Sequence, residues 1–164
     1  RIFVLMSLKL RQFQFYTYHE VLDRSTRSSF SLLKNINISC ITAGKEYIII
    51  GDTTGTIYVL NKLLSCFSLR FGAYSLCIVY MYMSAKIPFL FCIGNDIGES
   101  RPIVKIFDLK TTNNLGVPFC STHFKLFSSD ENAIVSAVAI FDNLAHVAVG
   151  FSSGTIILLK RDII

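Results

Sequence analysis

An all-β fold made of small antiparallel sheets is what the sequence predicts, and three observations carry that prediction. The chain of 164 residues is 52% apolar, enough for a domain with a real core, since domains commonly run ~50–250 residues. The apolar half is dominated by Ile, Val, Leu, Phe and Tyr, which suit a pleated, half-buried surface better than a helix, and helical periodicity is nearly absent. The third observation is an internal repeat. Ile38-Ser-Cys-Ile-Thr42, followed by Tyr47-Ile-Ile-Ile-Gly-Asp-Thr-Thr-Gly-Thr-Ile57, recurs as Val135-Ser-Ala-Val-Ala139, followed by His146-Val-Ala-Val-Gly-Phe-Ser-Ser-Gly-Thr-Ile156. Both copies contain Gly-x-x-x-Gly-Thr-Ile.

A weaker copy lies between them, from Leu76 through Phe89-Leu-Phe-Cys-Ile-Gly94 to Ile103-Val-Lys-Ile-Phe-Asp-Leu109. Taken as equivalent, Gly51, Gly94 and Gly150 are spaced by 43 and 56 residues. Blades of WD-repeat propellers recur at ~40–45 residues, and the longer interval fits a blade with extended loops. The expected architecture is therefore a WD-repeat-like β-propeller, incomplete at about three four-stranded blades.

One unit reads as strand, loop, strand, tight turn, strand, longer loop, strand. In the first unit the strands fall near Ile38–Thr42, Tyr47–Gly51, Thr56–Leu60 and Cys66–Phe71, with Gly51 to Gly55 supplying turn positions that tolerate positive φ. In the second they fall near Leu76–Met83, Phe89–Gly94, Ile103–Leu109 and Phe119–Phe127. The third supplies Val135–Ile140, Val147–Phe151 and Thr155–Leu159, with no fourth strand in the sequence. The near-continuous apolar runs Tyr47–Ile50, Leu76–Tyr82 and Phe89–Ile93 fit strands covered on both faces by neighbouring blades. Ser25–Ser31 and Ser128–Asn132 are polar and read as loops. Ahead of the repeats, Phe13-Gln-Phe-Tyr-Thr-Tyr18 reads as a lone strand of the kind that completes the last blade of a closed ring. Residues 1–12 are expected to be an N-terminal extension, foreign to the fold before Met6, and residues 13–164 a partial β-propeller.

Charge and cysteines narrow the function classes. The net charge is +5, but Arg1 to Lys34 holds six basic and two acidic residues, so the rest is close to neutral. That is no nucleic-acid footprint, and the spread of Arg11, Arg24, Arg27 and Lys34 reads as a solvated face rather than a lipid-headgroup site. Cys40, Cys66, Cys77, Cys92 and Cys120 are an odd set at irregular gaps beside apolar runs, as expected of reduced, buried thiols in a cytoplasmic protein. The longest strongly apolar uncharged stretch, Phe71 to Ala85, is fifteen residues, short of the roughly 20 that a spanning helix needs. Arg1 to Met6 is too brief for a signal peptide.

No constellation of catalytic or ligand residues emerges, and the expected catalytic, cofactor and metal sites are none. Gly51-Asp-Thr-Thr-Gly55 leads into a strand, whereas a phosphate loop needs Gly-Lys-Ser/Thr at the start of a helix. Asp96 and Glu99 lack the alternating oxygen ligands of a calcium loop. Cys120 and His123 form half of a zinc pattern without a second half. His19, His123 and His146 are isolated, and no Ser or Cys sits in a Gly-x-Ser-x-Gly elbow. A propeller hydrolase is the rival from another class; Ser152-Ser-Gly154 lacks the Asp of the sialidase-type Ser-x-Asp-x-Gly turn, and a hydrolase would bring a carboxylate pair into a central channel.

Six motifs in one order over residues 13 to 162 resemble the N-terminal propeller of the vacuolar protein sorting-associated protein 11 family. They are Phe13-x-Phe15, Gly51-Asp-x-x-Gly-x-Ile57, Phe71-Gly-Ala-Tyr74, Gly94-x-Asp96, Pro102-x-Val-Lys-Ile106 with Asp108-Leu109, and Asn143-Leu-x-x-x-Ala-Val-Gly-Phe151-x-x-Gly154 with Arg161-Asp162. Phe107 and Tyr58 stand where the family tends to have Trp. The resemblance implies a non-enzymatic core subunit of the HOPS and CORVET membrane-tethering complexes, without cofactor. It would act on the cytosolic face of late endosomes and lysosomes or vacuoles, as a peripheral protein. Its partners would be the other tethering-complex subunits and, indirectly, Rab-family GTPases and SNAREs, with no nucleic acid. In that family an α-solenoid and a RING zinc domain follow the propeller; neither is within this chain, and no residue of theirs is transferred. The runner-up reading is a propeller scaffold of another assembly, a coat or a ubiquitin-ligase adaptor.

Overall fold

The structure, a computed structural model, describes residues 33, 35–61, 67–128, 130, 132–141 and 144–161. The expected strand at Phe13–Tyr18, the extension at 1–12 and the loop at Ser25–Ser31 lie outside them. Eleven strands are described: β1 (Ile38–Gly44), β2 (Tyr47–Asp52), β3 (Thr56–Asn61), β4 (Phe67–Gly72), β5 (Ile78–Met83), β6 (Phe89–Gly94), β7 (Ile103–Thr112), β8 (Pro118–Lys125), β9 (Val135–Phe141), β10 (His146–Phe151) and β11 (Ile156–Lys160). They form three antiparallel meanders, β1-β2-β3-β4, β5-β6-β7-β8 and β9-β10-β11. This is the all-β, blade-by-blade arrangement the repeat predicts, with open sheets.

Strand boundaries follow the apolar runs to within three residues, and the larger differences have local causes. β5 starts at Ile78 rather than Leu76 because the main chain of Leu76 and Cys77 pairs instead with Asn95, through Leu76 N–H to the Asn95 carbonyl at 3.1 Å and Asn95 N–H to the Cys77 carbonyl at 3.0 Å. β7 runs on to Thr112, its far end turned by Asn113, whose side-chain oxygen accepts from the N–H groups of Leu115 and Val117 as such asparagine turns do.

Each sheet carries the same irregularity. A register shift sits between Ile38 and Cys40, between Ile78 and Tyr80, and at Phe151 opposite Val135. Just past it the pairs are Cys40 with Gly51, Tyr80 with Ile93, and Ala137 with Gly150. Gly51, Ile93 and Gly150 are thus the equivalent positions, and the expected equivalence of Gly94 is corrected by one residue: Gly94 matches Asp52 and Phe151. Side chains alternate faces along a strand, so Gly94 looks the opposite way from Gly51. Its glycine answers a different need, since a Cβ there would meet the Tyr74 ring at 2.7 Å and the Cys77 carbonyl at 2.8 Å.

Two apolar cores lie between the sheets. The first joins the forward face of sheet one (Ile49, Ile57, Val59, Phe71) to Ile78, Met81, Met83, Leu90, Cys92 and Phe107 of sheet two. The second joins the other face of sheet two (Phe91, Ile93, Val104) to Val147, Val149 and Phe151 of sheet three. β2 and β6 feed cores on both sides, which is why their sequences are apolar without alternation. Ile50, Tyr58 and Leu60, on the back of sheet one, pack with Leu33 and Ile36.

The first junction is the tighter. β1 and β5 lie against each other; the Met83 N–H donates to the Thr42 hydroxyl at 3.1 Å, and a Cβ on Gly44 would run into the Met83 main chain. Phe71 meets Phe107 edge to face at 5.1 Å. The positions equivalent to Cys40, Thr42 and Gly44 in sheet two are Tyr80, Tyr82 and Ser84, and two tyrosines in place of Cys and Thr hold β5 and β9 further apart.

Candidate interaction surface

The segment joining sheets one and two, Ala73 to Cys77, is fastened by side chains of sheet two. Lys105 Nζ donates to the Ala73 carbonyl at 2.7 Å and to Asp96 Oδ2 at 2.7 Å, and lies 4.3 Å above the Tyr74 ring, a favourable cation–π placement. Asp96 Oδ1 accepts from the Ser75 N–H and hydroxyl, and the Ser75 oxygen accepts from the Ile97 N–H. The Tyr74 hydroxyl reaches the Cys92 and Ile103 carbonyls, each at 3.0 Å; burial pushes its pKa far up, so it remains a donor.

Burial opposes ionisation of Asp96, but the hydrogen bonds from Lys105 and Ser75 outweigh it and hold the carboxyl below its usual range. A group with a lowered folded pKa stabilises the fold fully above its unfolded value of about 3.9 and loses that contribution as the pH falls through the folded pKa. Asp96→Asn is therefore expected to cost stability near neutrality and to flatten the decline between about pH 4 and the folded pKa. Urea midpoints taken across that range check it. An unchanged slope would show that Asp96 does not carry the acid sensitivity.

Of the candidate chemical residues, Asp96, Glu99, Cys120 and His123 line one open cleft of about 540 Å³ together with Lys105 and Lys125. Asp96 pairs with Lys105 and Glu99 with Lys125, at 2.7 and 2.6 Å, so each carboxylate is neutralised by its own cation. Cys120 is half-buried in β8 and His123 is exposed, opposite Lys105. His146 lies in β10 next to Phe141, and His19 is outside the described residues. No group of three or more metal-ligating side chains occurs among the described residues. Cys40, Cys77, Cys92 and Cys120 are free thiols, and burial drives the Cys92 thiol well above its ordinary pKa, an inert rather than reactive state. Asp52 is the turn residue that the hairpin reading of Gly51–Gly55 requires: its Oδ1 gathers the Thr54 N–H, the Thr54 hydroxyl and the Thr56 N–H at 2.8–2.9 Å. Among the described residues no helix is long and apolar enough to cross a membrane.

What the structure offers is surface. The forward face of sheet three carries Ala137, Ala139, Ala148 and Gly150, flanked by Phe141, Ile156 and Leu158 at 71, 70 and 78% exposure. Ile156 and Leu158 are the equivalents of Ile57 and Val59, which are sealed beneath sheet two. Phe127 and Ile134 stand out from the loops where the β2–β3 turn also lies, with the Arg101 guanidinium 4.6 Å above the Phe127 ring. A groove of about 560 Å³ opens between sheets two and three, lined by Phe89, Phe91, Ile106 and Phe124 on one side and Val147 and Leu159 on the other. An uncovered sheet face and open strand edges are what an expectation of three incomplete blades entails; the residues that line them were absent from the sequence reading. The signal for the first was in β11, where Ile156-Ile-Leu-Leu159 is apolar on both faces although a strand with one wet face would alternate.

Exposed apolar area of this kind promotes association. The isolated chain is expected to sediment as concentration-dependent oligomers, and Ile156→Lys combined with Leu158→Lys to shift it toward monomer. A monomer at all concentrations without the substitutions would show that the face is inert.

Comparison with known proteins accords with this arrangement. The β-propeller domain of Cps50 (Swd1) from Myceliophteria thermophila superposes with a TM-score of 0.59 over 85% of this chain and 45% of that domain, at 13% identity. The vacuolar protein sorting-associated protein 11 homologue of Dictyostelium discoideum is 28% identical over 153 residues, 93% of this chain and 15% of that protein. The human homologue is 30% identical over 126 residues, 77% of this chain and 13% of that protein. The chain thus spans about a seventh of the relatives' length. The family model described as PEP5/VPS11 N-terminal matches residues 11–164, nearly the whole chain, and the chain belongs to that family.

Proposed function

We propose that this chain is part of the N-terminal propeller of a non-enzymatic scaffold subunit in a complex that tethers endosomal and lysosomal or vacuolar membranes. The observation that carries the reading is the family match over residues 11–164. Three further features support it. The surface carries open sheet faces and exposed aromatic and aliphatic residues, Phe141, Ile156 and Leu158 among them, as suits protein contacts. Its carboxylates Asp96 and Glu99 are each neutralised by a lysine rather than set against one another. Residues 13–164 read as one partial propeller of three blades. In this role the subunit is cytoplasmic and peripheral on late endosomal, lysosomal or vacuolar membrane. It joins sister subunits directly and meets Rab-family GTPases and SNAREs through the assembled complex during docking and fusion.

A chimaera tests this. Residues 13–164 would replace the matching segment of the Dictyostelium homologue in cells lacking their own copy. Normal expression, co-purification with the sister subunits and restored delivery of endocytosed cargo to lysosomes are expected. A chimaera that accumulates normally but neither assembles nor restores delivery would overturn the proposal.

A further inference from the structure

We propose that the end of the sheets formed by the β1–β2, β5–β6 and β7–β8 turns and the close of β11 is a docking surface for a membrane with anionic headgroups. Along the chain the charges after Lys34 nearly cancel, but the fold sorts them. Among the described residues, every lysine and arginine away from this end is engaged: Lys105 with Asp96, Lys125 with Glu99, Arg70 over the Tyr58 ring and Arg101 over the Phe127 ring. Lys45, Lys86, Lys110, Lys160 and Arg161 all stand at this end, exposed and without an ion pair among the described residues. The acids described there are Glu46 and Asp108, and the Asp108 carboxylate is taken up by the Lys110 N–H and the Thr111 hydroxyl.

Main-chain contacts gather three of these cations. Gly44 passes against the Met83 main chain, so the turns that carry Lys45 and Lys86 adjoin. The Leu109 N–H donates to the Pro88 carbonyl at 2.9 Å, which sets Lys110 beside the second turn. The turns are also fixed in shape: Lys45 sits at φ +51°, and the buried Ser84 hydroxyl oxygen accepts from the Lys86 and Ile87 N–H groups. Two features identify the occupant. Unpaired cations spread over three sheets match a field of headgroups better than a single phosphate, each of them adding to the attraction of an anionic bilayer. Beside them the longest strand, β7, carries its hairpin out to Leu115, 86% exposed and held by the Asn113 turn. An apolar side chain at the tip of a cationic face suits the acyl boundary beneath the headgroups.

This contact is additional to the scaffold role and takes from it only the membrane location. Vesicle flotation with the purified 164-residue chain tests it apart from assembly, so its failure would leave the scaffold reading standing. The chain is expected to float with phosphatidylcholine vesicles containing phosphatidylserine and to stay down with phosphatidylcholine alone. Lys45→Gln, Lys86→Gln and Lys110→Gln combined are expected to weaken binding roughly 100-fold. Thr53→Glu, Ser100→Glu and Asn132→Glu combined change the net charge equally at the far end of the strands, beyond a screening length, and should leave binding within about two-fold. Leu115→Ser should weaken it about ten-fold. Equal losses in the two triple variants, or flotation of the lysine variant like the parent, overturn the proposal. Retention of the chain on polyglutamate without flotation overturns it too, by assigning this end to an acidic protein.

Discussion

Gly55→Ala is expected to cost more than about 4 kcal/mol of stability and to leave no cooperative transition if the fold is marginal, whereas Gly154→Ala, at the matching position of the third sheet, costs about 1–2 kcal/mol. The two glycines close the same Gly-x-x-x-Gly-Thr-Ile turn with almost the same backbone, φ +83° and +84°. The penalty for putting an L side chain in the left-handed region is therefore common to both. What differs is the neighbour. A Cβ on Gly55 would strike the Tyr74 and Leu76 carbonyls, main-chain atoms of the segment that crosses from sheet one to sheet two, while nothing lies within 4 Å of one on Gly154. That segment cannot retreat, because the Ala73 and Tyr74 N–H groups both donate to the Gly55 carbonyl, at 2.9 and 3.1 Å. The Lys105 and Asp96 clamp holds it from the other side. Urea unfolding at dilute protein gives the two midpoints, and their difference isolates the cost of opening the junction. Equal losses would mean that the sheets do not close on this turn.

Both glycines are visible in the sequence as one motif, and only their surroundings separate them. This marks how far the sequence could be read. Periodicity and turn residues are local, so the strands from β1 to β11, the hairpins at Gly51–Gly55 and Gly150–Gly154, and three blade-like units all follow from runs of Ile, Val, Phe and Gly. Register is less local. Gly94 aligns by eye with Gly51, yet the β6–β7 loop of eight residues, against three or four in the sister hairpins, conceals that the true match is Ile93. Junctions are not local at all. That Gly44 must be glycine to pass under Met83, that Tyr80 and Tyr82 widen the next junction, and that Phe141 takes the place of Gly44 on the open face depends on which sheet covers which. The family resemblance supplied the functional expectation and three incomplete blades the expectation of an uncovered sheet face, but the residues that line it, Phe141, Ile156 and Leu158 above all, became legible only once the covered and uncovered faces could be told apart.

The same comparison of sister hairpins yields the other large effect, at Asp52. This carboxylate is almost wholly buried and takes four hydrogen bonds: the three that shape the turn, and the Tyr58 hydroxyl on Oδ2 at 3.2 Å. Asp52→Ala removes the acceptor and leaves the Thr54 and Thr56 N–H groups without it. Each such bond to a charged group is worth about 1.5–3 kcal/mol, and a stranded buried donor adds its own penalty, so a loss of about 3–4 kcal/mol is expected. Asp52→Asn keeps an oxygen at the Oδ1 position, sacrifices the charge, and should cost about 1–2 kcal/mol. The third sheet reaches the same turn without a carboxylate: Phe151 occupies the position of Asp52, and the Ser153 hydroxyl sits near Thr155 instead, at 3.1 Å from its oxygen and 3.5 Å from its N–H. Ser153→Ala, exposed and weakly bonded, should cost under about 0.5 kcal/mol. Thermal or urea unfolding of the three variants orders them. If Asp52→Ala proved as mild as Ser153→Ala, the turn would be held by its glycines and main chain alone. The expected order instead makes sheet one, tied by Asp52 and roofed by sheet two, the stable part of the chain, and sheet three the part that depends on what covers it.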